Sequence, residues 1–352
     1  MRALIEGSEA IARAAIAANC RFFAGYPMTP FTELLEHFAA LLPERGGVCI
    51  NAESELEAIG MAWGALATGA RAATGSTGQG LALMQESLSE ITRAELPLVV
   101  FHMARGQFDY MQATRGGGHG DYRHVVLAPI DVREAVELTQ FAFHLADRWR
   151  NPVQIYGDFL LAHTSESVEI TPLDFGALPA KDWAVDGSLG GTGRSRNLNP
   201  IGMRKGVKGI EPESFWQRLQ DKHDAIAAAE QRFEATDCDG AELVVVAFGS
   251  LARFARHVVR ELRAQGARVG FFRPITLWPF PAAALARAAT GARRIAVLEQ
   301  NAGQMIDDVR LAVLGAVPVE AIGGISSDEA GFGVGDIYSP ADVRRRVEGG
   351  MR

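Results

Sequence analysis

The feature that most constrains the fold is a repeated alternation of short apolar strand patterns with amphipathic helical patterns. In the first half, strand patterns at residues 47–50, 71–74, 98–103 and 153–156 are separated by helical patterns. Alternation at this spacing favours a mostly parallel, doubly wound sheet. A second run of the same kind begins near residue 243. The sequence therefore predicts an α/β fold with two doubly wound domains, and the length of 352 residues agrees with two domains.

The periodic pattern weakens between these two runs. Residues 172–239 contain glycine-rich loops and one amphipathic helical pattern at about residues 214–235. We therefore predict a first domain over residues 1–171, a connecting segment over 172–239 and a second domain over 240–352.

Charge and cysteine content argue against several classes of function. The net charge of −7 disfavours nucleic acid as a partner, because a phosphate-binding surface needs clustered lysine and arginine. Cys20, Cys49 and Cys238 are far apart in the sequence, which favours buried free thiols in a reducing cytosol over a disulfide, zinc or iron–sulfur site. We find no signal peptide and no apolar run of about 18 residues, so we expect a cytoplasmic protein outside the membrane.

Glu55 is the sharpest candidate for chemistry. On a predicted helix over residues 54–68, it shares one stripe with three apolar residues, Ile59, Ala62 and Leu66. Glu53 and Glu57 lie off this stripe and can be solvated. A buried, unpaired carboxyl group can donate or share a proton near neutral pH. The alternative is an acidic residue in the first helical turn that is stabilised by the helix dipole.

Three further candidates lie where strand patterns end, which is the edge at which open α/β sheets bind ligands. Residues 75–80 (GSTGQG) can bring backbone N–H groups to a ligand, or form a tight turn without one. Residues 24–30 (AGYPMTP) present Tyr26 and Thr29, although Thr29-Pro30 also matches the start of a helix. Arg105 can bind a carboxylate through two parallel hydrogen bonds, or form a surface ion pair.

A fourth candidate is the glycine-rich segment at residues 114–122 (TRGGGHGDY). Its glycines permit close approach of the backbone, and His119 can titrate near neutral pH. A surface loop without a function is the alternative.

A resemblance to the α subunit of the 2-oxoacid:ferredoxin oxidoreductase family is carried by GYPMTP, NAESELEAIG, ATGSTGQGLALMQE, ELPLVVFHMAR, GGGHGDYRHVVLAP and ADRWRNPVQIYGD. It continues in FFRPITLWPFP and VLEQNAGQM, and the layout is most similar to the 2-oxoisovalerate, or branched-chain, type. The resemblance implies a thiamine-diphosphate pyrimidine-binding domain followed by a transketolase C-terminal-like domain. It also implies oxidative decarboxylation of a 2-oxoacid, with electrons passed to iron–sulfur clusters and the acyl group to coenzyme A.

The same resemblance implies a role for each candidate residue. Glu55 falls at the position of the family's cofactor-activating glutamate, which binds the aminopyrimidine ring. Thr29 and Arg105 match the substrate-side positions that hold the carboxylate and carbonyl of the 2-oxoacid. The residues implied to bind thiamine diphosphate are Tyr26, Pro27, Glu55, Ser76, Thr77 and Gly78.

Some parts of such an enzyme are not found in this sequence. We find neither a Gly-Asp-Gly motif followed by Asn, which usually binds Mg²⁺ and diphosphate, nor a cysteine cluster. The resemblance therefore implies a split enzyme. A β subunit would carry the Mg²⁺-diphosphate site, and γ and ferredoxin-like subunits would complete it, with the [4Fe–4S] clusters on partner subunits.

The substrate stays open at this point. The layout favours a branched-chain 2-oxoacid, but the segment after Arg105 is shorter than in many relatives. The nearby Phe108 and Tyr110 favour an aromatic 2-oxoacid instead, and 2-oxoglutarate and pyruvate are the alternatives. A nicotinamide-dependent oxidoreductase is disfavoured, because no dinucleotide-binding fingerprint follows a strand. A non-catalytic assembly subunit is a third hypothesis, against which the joint presence of Glu55, Thr29 and Arg105 speaks.

Overall fold

The computed structural model describes residues 2–185, 211–325 and 338–351. The strands of the first half are β1 (Ala3–Glu6), β2 (Phe22–Gly25), β3 (Val48–Asn51), β4 (Ala72–Ser76), β5 (Val99–Ala104), β6 (Val125–Leu127), β7 (Val153–Asp158) and β8 (Ser165–Val168). Strands β2 to β7 form a parallel sheet in the order β6-β7-β5-β4-β2-β3, whereas β1 pairs with β8 in a separate antiparallel ribbon. The central strands β4 and β5 are buried along their whole length, as continuous apolar runs predict for a covered parallel sheet.

Helices cover both faces of this sheet. They are α1 (Gly7–Ala17), α2 (Thr32–Leu41), α3 (Glu55–Ala67), α4 (Gly78–Leu83), α5 (Gln85–Arg93), α6 (Tyr110–Arg115), α7 (Val132–Trp149) and α8 (Phe159–His163), with 3₁₀ turns at Pro43–Arg45 and Gln107–Asp109. Helices α1, α2 and α7 bury their apolar stripes in one core, and α3 and α5 bury theirs in another. The sheet is therefore doubly wound.

The second half forms a smaller sheet with its own cores. Its elements are α9 (Pro212–Ala229), β9 (Phe233–Thr236), β10 (Leu243–Val246), α10 (Gly249–Ala264), β11 (Val269–Pro274), β12 (Thr276–Trp278), α11 (Ala282–Ala288), β13 (Arg294–Val297), α12 (Met305–Val313), β14 (Val319–Ala321) and α13 (Pro340–Gly350). The sheet order is β14-β13-β10-β11-β9, with β9 antiparallel. The predicted class of two doubly wound α/β units is thus confirmed.

Backbone pairing and a buried ionic cluster are among the contacts that join these halves. Strand β12 pairs antiparallel with β6 and so extends the first sheet, although it belongs to the second half of the sequence. In addition, Arg273 on β11 is buried and binds both carboxylate oxygens of Glu134 on α7, at 2.7 and 2.8 Å. Its Nε lies 3.2 Å from Glu234 on β9. The two sheets are therefore linked by backbone pairing and by a buried ionic cluster.

The helix that carries Glu55 agrees with its prediction. Ser54 caps α3 and accepts a hydrogen bond from the backbone N–H of Leu56 at 3.2 Å. The predicted stripe faces inward, since all four of its members are buried: Glu55, Ile59, Ala62 and Leu66. Glu53 and Glu57 are exposed, as expected.

Other element boundaries differ from the predictions. Thr29-Pro30 does not begin a helix: it forms a cis peptide bond, and α2 starts only at Thr32, after the N–H of Phe31 has bonded to the Met28 carbonyl. The predicted loop at residues 75–80 is shorter than expected, because α4 already begins at Gly78. The predicted helix at about residues 214–235 ends at Ala229, and β9 follows it.

The predicted domain division stays a prediction, although β9 joins the second sheet from residue 233 onwards. Residues 186–210 of the predicted connecting segment lie outside the described residues. Among the described helices, none has the length and apolar character needed to cross a bilayer.

Candidate active site

The candidate site lies at the point in the first sheet where the connections from two neighbouring strands lead to opposite sides. From β2 the chain passes to β3 on one side, and from β4 it passes to β5 on the other. The carboxyl ends of the neighbouring strands β2 and β4 therefore border a crevice, which is where open α/β sheets bind ligands. The residues that follow β2, the first turn of α3 and the residues that follow β4 meet at this crevice.

Glu55 is buried at this crevice, with only 2% of its surface exposed. Its Oε1 accepts a hydrogen bond from Ser76 Oγ at 2.9 Å, and Ser76 is itself fully buried at the end of β4. Within the part of the chain that the structure describes, the partner of the carboxylate is thus a neutral hydroxyl rather than a cation. A buried carboxylate in such a setting can exchange a proton with a ligand that enters the crevice.

Gly80 makes room for this contact. A Cβ atom at residue 80 would lie 2.2 Å from Glu55 Oε1 and 2.0 Å from Ser76 Oγ. Any larger residue would therefore displace the carboxylate or the hydroxyl. Gly80 thus serves the close approach of two side chains, whereas the approach of backbone N–H groups to a ligand stays a prediction.

Thr77 and Gly78 continue the wall of the crevice. Thr77 is fully buried, and its Oγ1 lies 2.8 Å from the sulfur of Met28 in the segment after β2. A Cβ atom at residue 78 would lie 2.4 Å from Asp109 Oδ2, so this carboxylate packs directly against the turn. The turn is therefore held between the segments that follow β2 and β5.

The predicted substrate-side residues also meet. Arg105 Nε donates a hydrogen bond to the backbone carbonyl of Thr29 at 3.1 Å. Among the described residues, its two Nη groups have no hydrogen-bond partner, so they can bind a carboxylate. The Thr29 side chain is exposed, as are Tyr26 and Pro27. The structure thus brings these residues to one edge, with Arg105 and Thr29 in contact.

The sequence did not predict that Asp109, His102 and Gln154 form a hydrogen-bonded row of side chains. His102, fully buried on β5, places its Nε2 3.1 Å from Asp109 Oδ2 and its Nδ1 2.9 Å from Gln154 Nε2 on β7. The ring packs against Tyr156, with 4.6 Å between ring centroids. One signal could have revealed it: a histidine within an otherwise apolar strand, followed seven residues later by an aspartate.

A cleft opens beside Arg105, towards the second half of the chain. Asp158, the last residue of β7, accepts a hydrogen bond from Ser250 Oγ at 2.7 Å across this cleft. Burial raises the pKa of the Asp158 carboxyl, although hydrogen bonds from Leu161 and Ser250 oppose the shift. The apolar part of the wall consists of Phe108, Phe159, Leu160 and Leu251, and Gln107 and Gln300 also line the cleft.

Tyr110 does not face this cleft, contrary to the expectation that it contacts substrate. It is fully buried, and its hydroxyl donates a hydrogen bond to Asp308 at 2.6 Å. Burial, together with the Asp308 carboxylate, raises the pKa of Tyr110 well above its usual value. Its position was not predictable, because Asp308 is almost two hundred residues away in the sequence.

The glycine-rich segment at residues 114–122 packs on α5. The Tyr122 hydroxyl donates to Gln85 Oε1 at 2.9 Å and accepts from the N–H of Gly118 at 3.0 Å. His119 is exposed and lies 2.7 Å from Glu90. Its partner Glu90 is a buried residue of α5, so His119 pairs with this helix rather than with Glu55 in the crevice.

Two family descriptions match the chain. "Pyruvate flavodoxin/ferredoxin oxidoreductase, thiamine diP-bdg" matches residues 13–234, and "Pyruvate:ferredoxin oxidoreductase core domain II" matches residues 241–331. The ketoisovalerate oxidoreductase subunit VorB of Methanothermobacter thermautotrophicus is 38% identical over 324 residues, which cover 88% of this chain and 89% of VorB. The 2-oxoglutarate synthase subunit KorA of Methanothermobacter marburgensis is 32% identical over 382 aligned positions, which cover 98% of both chains.

Solved structures share the fold. A 2-oxoglutarate:ferredoxin oxidoreductase from Magnetococcus marinus, with 2-oxoglutarate, coenzyme A and succinyl-CoA bound, matches with a TM-score of 0.84 at 24% identity, over 100% of this chain and 65% of that one. A split-gene transketolase in an inactive beta4 tetramer matches with a TM-score of 0.60 at 16% identity, over 99% of both chains. The family matches and the identity to VorB and KorA show that this chain belongs to the 2-oxoacid:ferredoxin oxidoreductase family, as a subunit with a thiamine-diphosphate-binding domain.

Proposed function

We propose that this chain activates thiamine diphosphate in a complex that converts a 2-oxoacid into acyl-CoA and CO₂ and passes the electrons to iron–sulfur clusters on partner subunits. The observation that carries the proposal is the buried Glu55, which lies at the ligand-binding crevice of the first sheet with a neutral hydroxyl as its partner. Thiamine diphosphate, when bound, supplies a carbon nucleophile for the 2-oxo group and an acceptor for the charge left by decarboxylation.

The residues around the crevice fit the aminopyrimidine end of this cofactor. Glu55 would share a proton between its carboxyl oxygen and a ring nitrogen, and Ser76 would hold that carboxyl in place through the bond at 2.9 Å. Thr77 and Gly78 would line the ring from the turn after β4. Tyr26 and Pro27, exposed at the end of β2, would cover it from the other side.

Arg105 and Thr29 would hold the 2-oxoacid. The Nη groups of Arg105 would bind the carboxylate, while the bond from Nε to the Thr29 carbonyl fixes the direction of the guanidinium. The apolar cleft beside Arg105 would then receive the side chain of the substrate. An apolar wall favours a branched-chain or aromatic 2-oxoacid, because a second carboxylate, as in 2-oxoglutarate, would lose its hydration there.

Partner subunits would complete the site. Large apolar side chains are exposed around the crevice, among them Leu56 at 50% and Leu83 at 52%, together with Met61 and Tyr26. We propose that a β subunit covers this surface and carries the Mg²⁺-diphosphate site, and that further subunits carry the iron–sulfur clusters. Exposed apolar surface of this kind marks protein–protein contacts.

The test is to co-produce the chain with its partner subunits without oxygen and to measure viologen reduction, with coenzyme A, against a panel of 2-oxoacids. We expect activity that requires thiamine diphosphate and is highest with a branched-chain or aromatic 2-oxoacid. A preference for 2-oxoglutarate would overturn the substrate assignment only. No activity with any 2-oxoacid, in a complex with intact clusters and bound cofactor, would overturn the function.

Replacing Arg105 by methionine should weaken the use of every 2-oxoacid. A hydrogen-bonded charge is worth about 1.5–3 kcal/mol, so kcat/KM should fall roughly 10- to 150-fold. Steady-state kinetics of the reconstituted complex would measure the change. Arg133→Lys, on the exposed surface of α7, should leave kcat/KM unchanged. An Arg105→Met enzyme with unaltered kcat/KM would remove Arg105 from the substrate site.

Replacing Gly80 by alanine should separate Ser76 from Glu55, because the new methyl group would overlap both side chains. Displacing a catalytic group by about 1 Å can cost roughly 100-fold in rate, and we expect a loss of that order in turnover. Gly349→Ala is the control, since a methyl group there meets no atom within 4 Å. Full turnover by a folded Gly80→Ala enzyme would show that the contact between Ser76 and Glu55 is dispensable.

A further inference from the structure

The second sheet has a crevice of its own at the position where α/β sheets bind ligands, and we call it the ligand-type crevice. Gln107 of the first domain enters this crevice. From β10 the chain passes to β11 on one side, whereas β13 leads to β14 on the other, so the carboxyl ends of β10 and β13 border the crevice. The Nε2 of Gln107 donates to the Phe248 carbonyl just after β10, and its Oε1 accepts from the N–H of Gln300 just after β13, both at 2.9 Å.

Three further hydrogen bonds hold the backbone around Gln107. We call residues 105–111 the substrate-side loop, because Arg105 begins it. Asn301 Nδ2 donates to the carbonyl of Gln107 at 2.8 Å. Gln304 Nε2 donates to the Phe108 carbonyl at 2.6 Å, and its Oε1 accepts from the N–H of Met111 at 2.8 Å. The loop is therefore bonded to the second domain through both side chain and main chain.

The second-domain segment that binds the loop is itself held in place. Glu299 is buried, and its carboxylate accepts hydrogen bonds from the backbone N–H groups of Gln304, Met305 and Ile306, at 3.1, 2.8 and 3.1 Å. This carboxylate therefore caps the N-terminus of α12 and fixes Gln304 at its start. The segment forms a rigid support rather than a loose contact.

The substrate-side loop carries candidate-site groups on both sides of Gln107. Arg105 precedes it and bonds to Thr29, whereas Asp109 follows it and packs against Gly78 in the turn that lines the crevice. Because Gln107 lies between them, a movement of the loop away from the second domain would displace both groups. A misplacement of about 1 Å is enough to affect a bound substrate strongly.

We propose that the second domain uses its ligand-type crevice to bind the substrate-side loop as an internal ligand, so that Gln107 and Gln304 are positioning residues that fix Arg105 and select the 2-oxoacid. This inference rests on the proposed function. It assigns the second domain a part in substrate recognition.

The test begins with Gln304→Ala in the reconstituted complex, because Gln304 is only half-buried and its loss should leave the fold intact. We expect the KM for the preferred 2-oxoacid to rise about tenfold with kcat and thiamine diphosphate affinity unchanged, because the variant loses both hydrogen bonds from Gln304 to the loop. The difference in kcat/KM between the preferred 2-oxoacid and the others should also become smaller. Asp307→Ala is the matched control, because Asp307 is exposed in the first turn of α12 and, among the described residues, its carboxylate pairs with Arg310.

A double-mutant cycle separates positioning from general destabilisation. If Gln304 acts through Arg105, Gln304→Ala should have no further effect on KM in an Arg105→Met enzyme, whereas independent effects would add. Gln107→Ala should behave like Gln304→Ala. An unchanged KM in both folded glutamine variants, or additive effects in the cycle, would overturn the proposal.

One measurement does not depend on activity and so distinguishes the two proposals. Backbone hydrogen exchange in peptides that cover residues 105–111 should become faster in Gln304→Ala than in Asp307→Ala, in the assembled complex. If exchange becomes faster but the complex uses no 2-oxoacid, the proposed function is contradicted and the loop contact is still supported. Unchanged exchange with normal 2-oxoacid activity would sink the loop inference alone.

Discussion

Glu55→Gln is expected to reduce turnover by about 100-fold or more while the complex remains assembled. Glutamine has nearly the same shape as glutamate and can keep the hydrogen bond with Ser76, but it cannot share a proton with the cofactor. Proton transfer by a positioned side chain typically contributes about 100- to 10,000-fold to a rate. Viologen reduction at saturating 2-oxoacid measures the loss, and size-exclusion chromatography of the same sample reports assembly.

Glu53→Gln is the matched control for this experiment. Glu53 lies two residues earlier, carries the same charge and is exposed, so its replacement should leave turnover unchanged. A Glu55→Gln enzyme with at least half of the normal turnover would contradict the catalytic assignment. It would then support the hypothesis of a non-catalytic assembly subunit.

Arg273→Met is expected to produce the largest loss of stability, about 3 kcal/mol in the free energy of unfolding. Removing one member of a buried ionic cluster leaves its partners without compensation, which typically costs about 3–5 kcal/mol. We expect the lower end of this range, because Glu134 and Glu234 are partly exposed, at 19% and 24% of their side chains. Urea denaturation of the purified protein, followed by circular dichroism, measures the change.

The control for this prediction is an exposed pair on the same sheet. Arg294 on β13 lies 3.5 Å from Glu320 on β14, and both side chains are more than a third exposed. Surface pairs contribute about 0–1 kcal/mol, so Arg294→Met should have little effect. Equal midpoints for Arg273→Met and the native protein would show that the buried cluster does not stabilise the junction between the halves.

The sequence predicts local structure here better than it predicts contacts between distant segments. The helix of Glu55 and its buried stripe follow from apolar spacing within residues 54–68, and the structure confirms both. The start of α2 was placed too early, because Thr29-Pro30 satisfies the local pattern of a helix start although the chain turns there instead. Local signals therefore need the tertiary structure to decide between a cap and a turn.

The least predictable part of the site is the environment of the loop after β5. Gln107 is a polar residue, yet its side chain is buried between two backbone groups of the second half. These groups are the N–H of Gln300, 193 residues away in the sequence, and the carbonyl of Phe248, 141 residues away. Tyr110 looked like a substrate contact and is instead part of the core of the second half. No spacing rule within the first domain contains this information, because the partners belong to another sheet.

The pairing of β12 with β6 has a consequence for how a chain of this kind can be divided. The family matches end at residue 234 and resume at residue 241, which suggests a natural cut between two modules. A fragment that stops there would lack residues 276–278 and leave the backbone of β6 as an uncovered sheet edge. Such edges recruit other strands and promote aggregation. The two modules are therefore separate in the sequence but joined by backbone hydrogen bonds. If a gene were split at this boundary, another chain would have to supply a strand to pair with β6.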